Sequence, residues 1–334
     1  MMQALYPWQH EHWQQLMLAW RQNRLHHALL LCGRAGMGKL HFAEQFAASL
    51  LCEHPNAEGF ACEHCKPCHL RKAGNHPDLL QVHPAEAGKM IQVDQIRQLL
   101  QACNLTANYS GYQVIILQPA EAMNHNAANS LLKLLEEPPA KTAFLLVSHQ
   151  PMALPATVRS RCQRIDFNRA AHDSMRQWLQ TAAPAQSDVD LLLKLTQHAP
   201  LSAHALITGE GFAKRQQLWQ SLTQLLQEKA DPVQIAMQWD KLEPKSVLGW
   251  IQSWTMDFIR FRITTQAQWI VNQDFRESIQ RLAAQIPLAE LFKLLEQQQA
   301  AFSLLQGSSN VKSQGVLENL AIAWQRASQV TRRA

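Results

Sequence analysis

GRAGMGKL, Gly33 to Leu40, comes within one residue of the phosphate-binding pattern G-x-x-x-x-G-K-[ST]. Gly33, Gly38 and Lys39 fit. Leu40 stands where a hydroxyl side chain would help hold Mg²⁺, and leucine has no oxygen to offer. The flanks suit the pattern. HALLLCG, ending at Gly33, is a short apolar run that reads as a buried strand, and KLHFAEQFAASLLC, starting at Lys39, reads as the helix after it. In such a strand, loop and helix, backbone N–H groups at the helix N-terminus hold phosphate.

Outward from the loop, the same alternation continues. PDLLQVHP, YQVIIL, TAFLLVS and CQRIDF read as four more short strands. IQVDQIRQLLQAC starts extended and turns helical, with Asp94 as the expected N-cap. NHNAANSLLKLLEEPP is a helix stopped by Pro138 and Pro139. Trp13, Leu16, Met17 and Trp20 put an amphipathic helix over residues 9–23. Short apolar strands alternating with helices imply an α/β fold, a parallel sheet with helices on both faces.

Beyond residue 168 no strand pattern recurs. Residues 170–207 fit two or three short helices, and a linker is expected near Gly209 to Gly211. About five longer helices follow, broken near Pro232, Pro244, Asn272, Pro287 and Gly307. The division is 1–168 for the nucleotide-binding-type domain, 169–208 for a small helical lid and 209–334 for an all-α region.

The nucleotide site lacks several of its working parts. An acidic pair should follow the strand VIIL, to anchor the metal and position the attacking water. Gln118 and Pro119 stand there instead. Gln118 carries no charge, and Pro119 can act neither as base nor as water holder. Glu121 is displaced by two residues and is expected to point elsewhere. With Leu40, three parts of one site are absent together, which reads as a decayed loop. Lys39 leaves weak nucleotide binding open.

Seven cysteines occur, four of them in the insert 52–76. Cys52, Cys62, Cys65 and Cys68 form C-x9-C-x2-C-x2-C, and four thiolates close a tetrahedral Zn²⁺ site with no position left for water. Such a site is structural. His54, His64, His69 and His76 are alternative ligands. Cys32, Cys103 and Cys162 read as small core residues. The 334 residues carry a formal net charge of +5, from 31 basic and 26 acidic side chains, too weak a bias to argue for nucleic acid alone. At 47% hydrophobic and 17% charged, the chain has the composition of a globular protein with a core rather than of a disordered one. No signal peptide and no membrane-length apolar run is visible, so a cytoplasmic location is expected.

TVRSRCQRIDF sets Arg159, Arg161 and Arg164 between the fourth strand and the fifth. On composition alone such arginines read as surface residues or ion-pair partners. The functional alternative is an arginine finger, since guanidinium stays charged and forks onto phosphate oxygens.

RLHHALLLCGRAGMGK, the four-cysteine insert, NSLLKLLEEPP and SRCQ, in that order, resemble the clamp-loader branch of the AAA+ ATPases. The likeness is most specific over residues 20–168, and NVKSQGVLENLAIAW looks like the family's last helix. The resemblance implies a heteropentameric ring with a helical collar, here 209–334. That ring holds motor subunits of the gamma/tau type and a delta subunit, and uses ATP to place a sliding clamp on primed DNA. It further implies that Arg161 reaches ATP bound by the adjacent motor subunit, and that the family's zinc cysteines map onto Cys52, Cys62, Cys65 and Cys68. In the motor subunits a lid motif supplies another phosphate-sensing arginine; HAPLSAHAL puts Leu201 there. Ser148 sits at the family's polar sensor position and is expected to make a structural hydrogen bond.

The expected role is a non-hydrolysing scaffold within a DNA polymerase holoenzyme, with no ATPase or polymerase activity of its own. Two alternatives stand beside it: an active motor ATPase of the same fold, and a zinc-dependent nucleic-acid-binding regulator that reads through the insert.

Overall fold

The computed structural model describes residues 5–86, 88–103, 111–169, 172–185, 187–306 and 312–333. They form two compact units. The first comprises Met1–Trp178 with Ala199–Ser202, and the second Leu179–His198 with Ala203–Ala334.

Five strands build the sheet of the first unit: β1 (Ala28–Cys32), β2 (Leu79–Val82), β3 (Gln113–Leu117), β4 (Thr142–Ser148) and β5 (Gln163–Asp166). All pairings are parallel and the order is β2-β3-β4-β1-β5. Leu30 of β1 lies opposite Leu146 of β4 and Arg164 of β5. Successive side chains take opposite faces, and both faces are apolar. Leu29, Leu31, Val114, Ile116, Leu145 and Val147 pack on Trp13, Leu16, Phe42 and Phe46, from helices His10–Arg21 and Lys39–Leu51. Leu30, Cys32, Ile115, Leu117, Phe144 and Leu146 pack on Ile96, Leu99, Leu131 and Leu135, from helices Val93–Cys103 and His125–Glu136. Every expected strand is present, and so are the helices on both faces.

One local expectation fails. Asp94 is not an N-cap: the helix already runs from Val93, and Asp94 lies in its first turn, paired with Arg97 at 3.0 Å. Ile91 is held in a bridge to Met123, and Gln92 N–H donates to Gln95 Oε1, so the helix starts two residues earlier than an Asp94 cap would place it.

The second unit contains helices Val189–Leu195, Gly211–Leu226, Pro232–Asp240, Pro244–Thr264, Arg276–Ala283, Leu288–Gln306 and Ser313–Arg333. From Gly211 onward that makes six among the described residues, not five. Pro232 and Pro244 each open a helix, where a missing N–H costs nothing. The expected linker shrinks to two residues, because Thr208 ends one helix and Gly211 starts the next. The break at Gly307 lies outside the described residues. Trp219, Trp239, Trp254, Trp324 and Phe258 form the core, with Trp219 stacked on Phe275 at 4.6 Å. Among the described residues no helix is long and apolar enough to cross a membrane.

Candidate nucleotide loop, cysteine cluster and arginine rim

The loop leaves β1 at Cys32 and enters helix Lys39–Leu51 through Gly38. Gly36 (φ +81°) and Gly38 (φ +75°) take left-handed backbone that other residues avoid. Both are crowded by the chain's own elements. A Cβ on Gly36 would meet Ser202 N at 2.7 Å, and one on Gly38 would meet Gln9 Nε2 at 2.7 Å and the Tyr6 ring at 2.8 Å. Leu201 N–H donates to Gly36 O (3.1 Å), and Ser202 Oγ to Ala35 O (3.3 Å). Trp8 Nε1 donates to Met37 O (3.0 Å) and Gln9 Nε2 to Gly38 O (2.9 Å). Tyr6 stacks on Trp8 at 4.9 Å, and Trp178 closes on both rings edge-first. Even the Arg34 N–H has a protein acceptor, Asn168 Oδ1 at 3.1 Å.

Lys39, 2% exposed, turns inward. Its Nζ donates to Gly33 O (2.5 Å) and Arg34 O (2.7 Å) and lies 2.9 Å from His149 Nδ1. An ammonium has three donors and no acceptor, so all three are used and His149 Nδ1 is the accepting, unprotonated nitrogen. Burial lowers Lys39 to about 8, opposed by the Glu121 carboxylate. Burial and the Lys39 charge lower His149 as well, which keeps the imidazole neutral.

Glu121 overturns the expectation that it points elsewhere. The short turn Ala120–Ala122 folds the chain back toward the end of β4, where Glu121 Oε1 accepts from His149 N–H (2.9 Å) and Gln150 N–H (3.2 Å). Its Oε2 is buried with no partner among the described residues. Ser148 also departs from expectation: its buried Oγ finds no hydrogen-bond partner among the described residues. Leu40 and Leu201 pack against the apolar core on the first helix-bearing face.

The four cysteines of the insert come together. The Sγ atoms of Cys52, Cys62, Cys65 and Cys68 lie within 4.8 Å of one another, and could hold a metal ion; Cys52 and Cys65 are 3.9 Å apart. Zn–S bonds of about 2.3 Å in a tetrahedron set sulfur–sulfur edges of about 3.8 Å. Backbone N–H groups already point at the sulfurs: His54 and Cys62 donate to Cys52 Sγ (3.4 and 3.2 Å), Cys65 to Cys62 Sγ (3.4 Å). Donation from the His64 and Cys65 backbone pulls Cys62 down to about 6, while burial pushes Cys52 and Cys68 up. Soft donors, near-tetrahedral spacing and N–H support for thiolate charge fit a closed divalent-metal site. His54, His64, His69 and His76 are not among the clustered ligand atoms. The loop beyond Cys52 is also pinned by Trp13, which stacks on Phe60 at 4.6 Å and donates to Glu58 O (3.1 Å).

Arg161 lies between the short helix Ala156–Arg159 and β5, 36% exposed. Nη1 donates to Thr157 O (3.0 Å), and Nη2 pairs with Glu136 Oε1 (2.5 Å). Its neighbours are engaged differently: Arg159 with Met152 Sδ, Arg164 with Asp166.

Comparison with known proteins places this geometry in a family. Residues 8–171 match the family described as "DNA polymerase III, delta subunit", and residues 210–326 "DNA polymerase III, delta subunit, C terminal". The DNA polymerase III subunit delta' of Pseudomonas aeruginosa is 37% identical over 330 residues, 97% of this chain and 98% of that protein. The chain belongs to the DNA polymerase III delta' family. The delta' subunit of Yersinia pestis is 32% identical over 96% of both chains. DNA polymerase III subunit tau/gamma of Haemophilus influenzae is 34% identical over 153 residues, 46% of this chain and 21% of that protein.

Within this chain, sequence reasoning did not bring together seven residues that the fold does. His149 and Glu121 at Lys39, Tyr6, Trp8 and Gln9 over the loop, Ser202 against Gly36, and Glu136 at Arg161 all arrive through tertiary packing. Glu121 stood near the place of the missing acidic pair, and Glu136 is the first glutamate of LLEEPP; the other five carry no motif.

Proposed function

We propose that this chain is a clamp-loader subunit of the DNA polymerase III holoenzyme that hydrolyses no ATP itself and supplies Arg161 to a nucleotide on a neighbouring motor subunit. The carrying observation is the contrast between two cations. Lys39 is buried and spends its three donors on Gly33 O, Arg34 O and His149, inside a loop covered by Tyr6, Trp8, Gln9 and Ser202. Arg161 sits at an exposed rim, with N–H groups that have no acceptor among the described residues. A phosphate entering the loop would have to displace the chain's own contacts, and Gln118, Pro119 and Leu40 would give Mg²⁺ no ligand.

On this reading the chain divides into 1–168, a lid at 169–208 and a collar at 209–334 that joins the ring. Its partners are motor subunits of the gamma/tau type and a delta subunit, and through them the sliding clamp and primed DNA, in the cytoplasm. Cys52, Cys62, Cys65 and Cys68 bind Zn²⁺, which cross-links a loop too small to order itself by apolar burial. In the neighbour's site the Arg161 guanidinium offsets charge that develops on the transferred phosphoryl group, an effect worth about 10³–10⁵ in rate where a finger acts in trans. The test is a reconstituted ring carrying Arg161→Ala. Assembly should be intact and DNA-stimulated ATP turnover reduced; unchanged turnover removes the finger assignment.

A further inference from the structure

Arg161 has two anchors, and they come from separate elements. Thr157 O belongs to the short helix Ala156–Arg159, and Glu136 is the last residue of helix His125–Glu136. A guanidinium carries five N–H groups. One on Nη1 goes to Thr157 O and one on Nη2 to Glu136 Oε1, which leaves three for an outside acceptor. Two anchors on the two terminal nitrogens fix the plane of the group as well as its position. An unanchored arginine on an exposed rim would sample many rotamers and would have to be ordered each time it met a phosphate. The location favours the charge independently, because the C-terminal end of a helix is a negative pole.

We infer that Glu136 is a positioning residue for Arg161: it holds the guanidinium oriented for the neighbour's nucleotide while leaving three donors open. The inference rests on the reading of Arg161 as an arginine finger. Glu136 touches no nucleotide and acts only through Arg161. The cluster has a plain division of labour. Thr157 contributes a backbone oxygen that no side-chain change can remove, and Glu136 contributes the one anchor that mutation can reach. Glu136 is 51% exposed, so its replacement disturbs no core. Arg159 and Arg164 are held elsewhere, Arg159 against Met152 Sδ and Arg164 on Asp166.

The experiment uses the complete reconstituted ring, with primed DNA and clamp, and ATP as the varied substrate. Glu136→Ala should lower DNA-stimulated kcat about threefold to fivefold, the scale of one exposed charge-assisted contact, with the KM for ATP little changed. Glu136→Gln keeps an acceptor oxygen in place and should recover more than half of that loss. The double variant Glu136→Ala with Arg161→Ala should be no slower than Arg161→Ala alone. If Arg161→Ala slows turnover and Glu136→Ala does not, the positioning role is wrong and the finger stands. A further loss in the double variant, or Glu136→Gln turning over no faster than Glu136→Ala or faster than wild type, also overturns it. If Arg161→Ala changes nothing, the finger reading fails and the role of Glu136 falls with it.

Discussion

Lys39 Nζ stands 2.9 Å from His149 Nδ1, 110 residues further along the chain. The contact joins the first turn of the helix after the phosphate loop to the residue just beyond β4. It makes the lysine part of the core of its own unit, and that has consequences for stability.

Burial lowers Lys39 to about 8 from the ordinary 10.5. Between those values the unfolded chain holds a proton that the folded chain has released, so stability rises with pH across the window. The whole effect is about 3 kcal/mol. Lys39→Met removes the titrating group. Urea unfolding of wild type and variant, followed from pH ~7 to ~10.5, should show the wild type gaining on the variant by about that amount. A constant difference across the range would contradict the burial.

Gly36 takes φ +81° with Ser202 N only 2.7 Å from where a Cβ would stand. Gly36→Ala must therefore strain the backbone and push Leu201 and Ser202 off the loop. We expect a loss of about 2–3 kcal/mol, with faster amide exchange at Leu201. An alanine variant as stable as wild type would mean that this close approach is absent.

Metal removal should act on one segment. Mild purification is expected to leave one zinc per chain, and chelation should release it and expose four thiols. Helix Lys66–Lys72 starts after Cys65 and contains Cys68, so its amides should lose protection first. A chain with less than about one metal ion, its four thiols titrating freely as purified, would refute the site.

In the second unit, Asp257 is 0% exposed and accepts from Val271 N–H, Asn272 N–H (2.8 Å), Asn272 Nδ2 (2.7 Å) and Arg260 Nη1. Arg215, 1% exposed, pairs with Asp274 and with Asn272 Oδ1 (2.6 Å). Asp257→Ala orphans several buried donors at once and should cost about 3–5 kcal/mol in thermal or urea unfolding. A loss under about 1 kcal/mol would show that the 265–275 segment is held by its aromatic contacts instead.

The sheet was legible in the sequence because its signal is local. Five apolar runs such as HALLLC and TAFLLVS, each bounded by polar or turn residues, need only chain order to be read as parallel strands. The cysteine cluster was legible for the same reason, since Cys62, Cys65 and Cys68 are spaced for one short loop and helix. What could not be read was where side chains meet across the sheet edge. Glu121 looked misplaced by two residues, and a turn of three residues brings it to His149 regardless. Asp94 looked like a cap, and the tether at Ile91 starts the helix ahead of it. Tyr6, Trp8 and Gln9 carry no motif at all, yet they cover Met37 and Gly38.

The most direct measurement of the central claim is steady-state ATP turnover by the isolated, pure chain, with Lys39→Ala measured beside it. A loop filled by its own chain predicts no turnover above background for either protein. Sustained turnover by the wild type that disappears in Lys39→Ala would contradict the account.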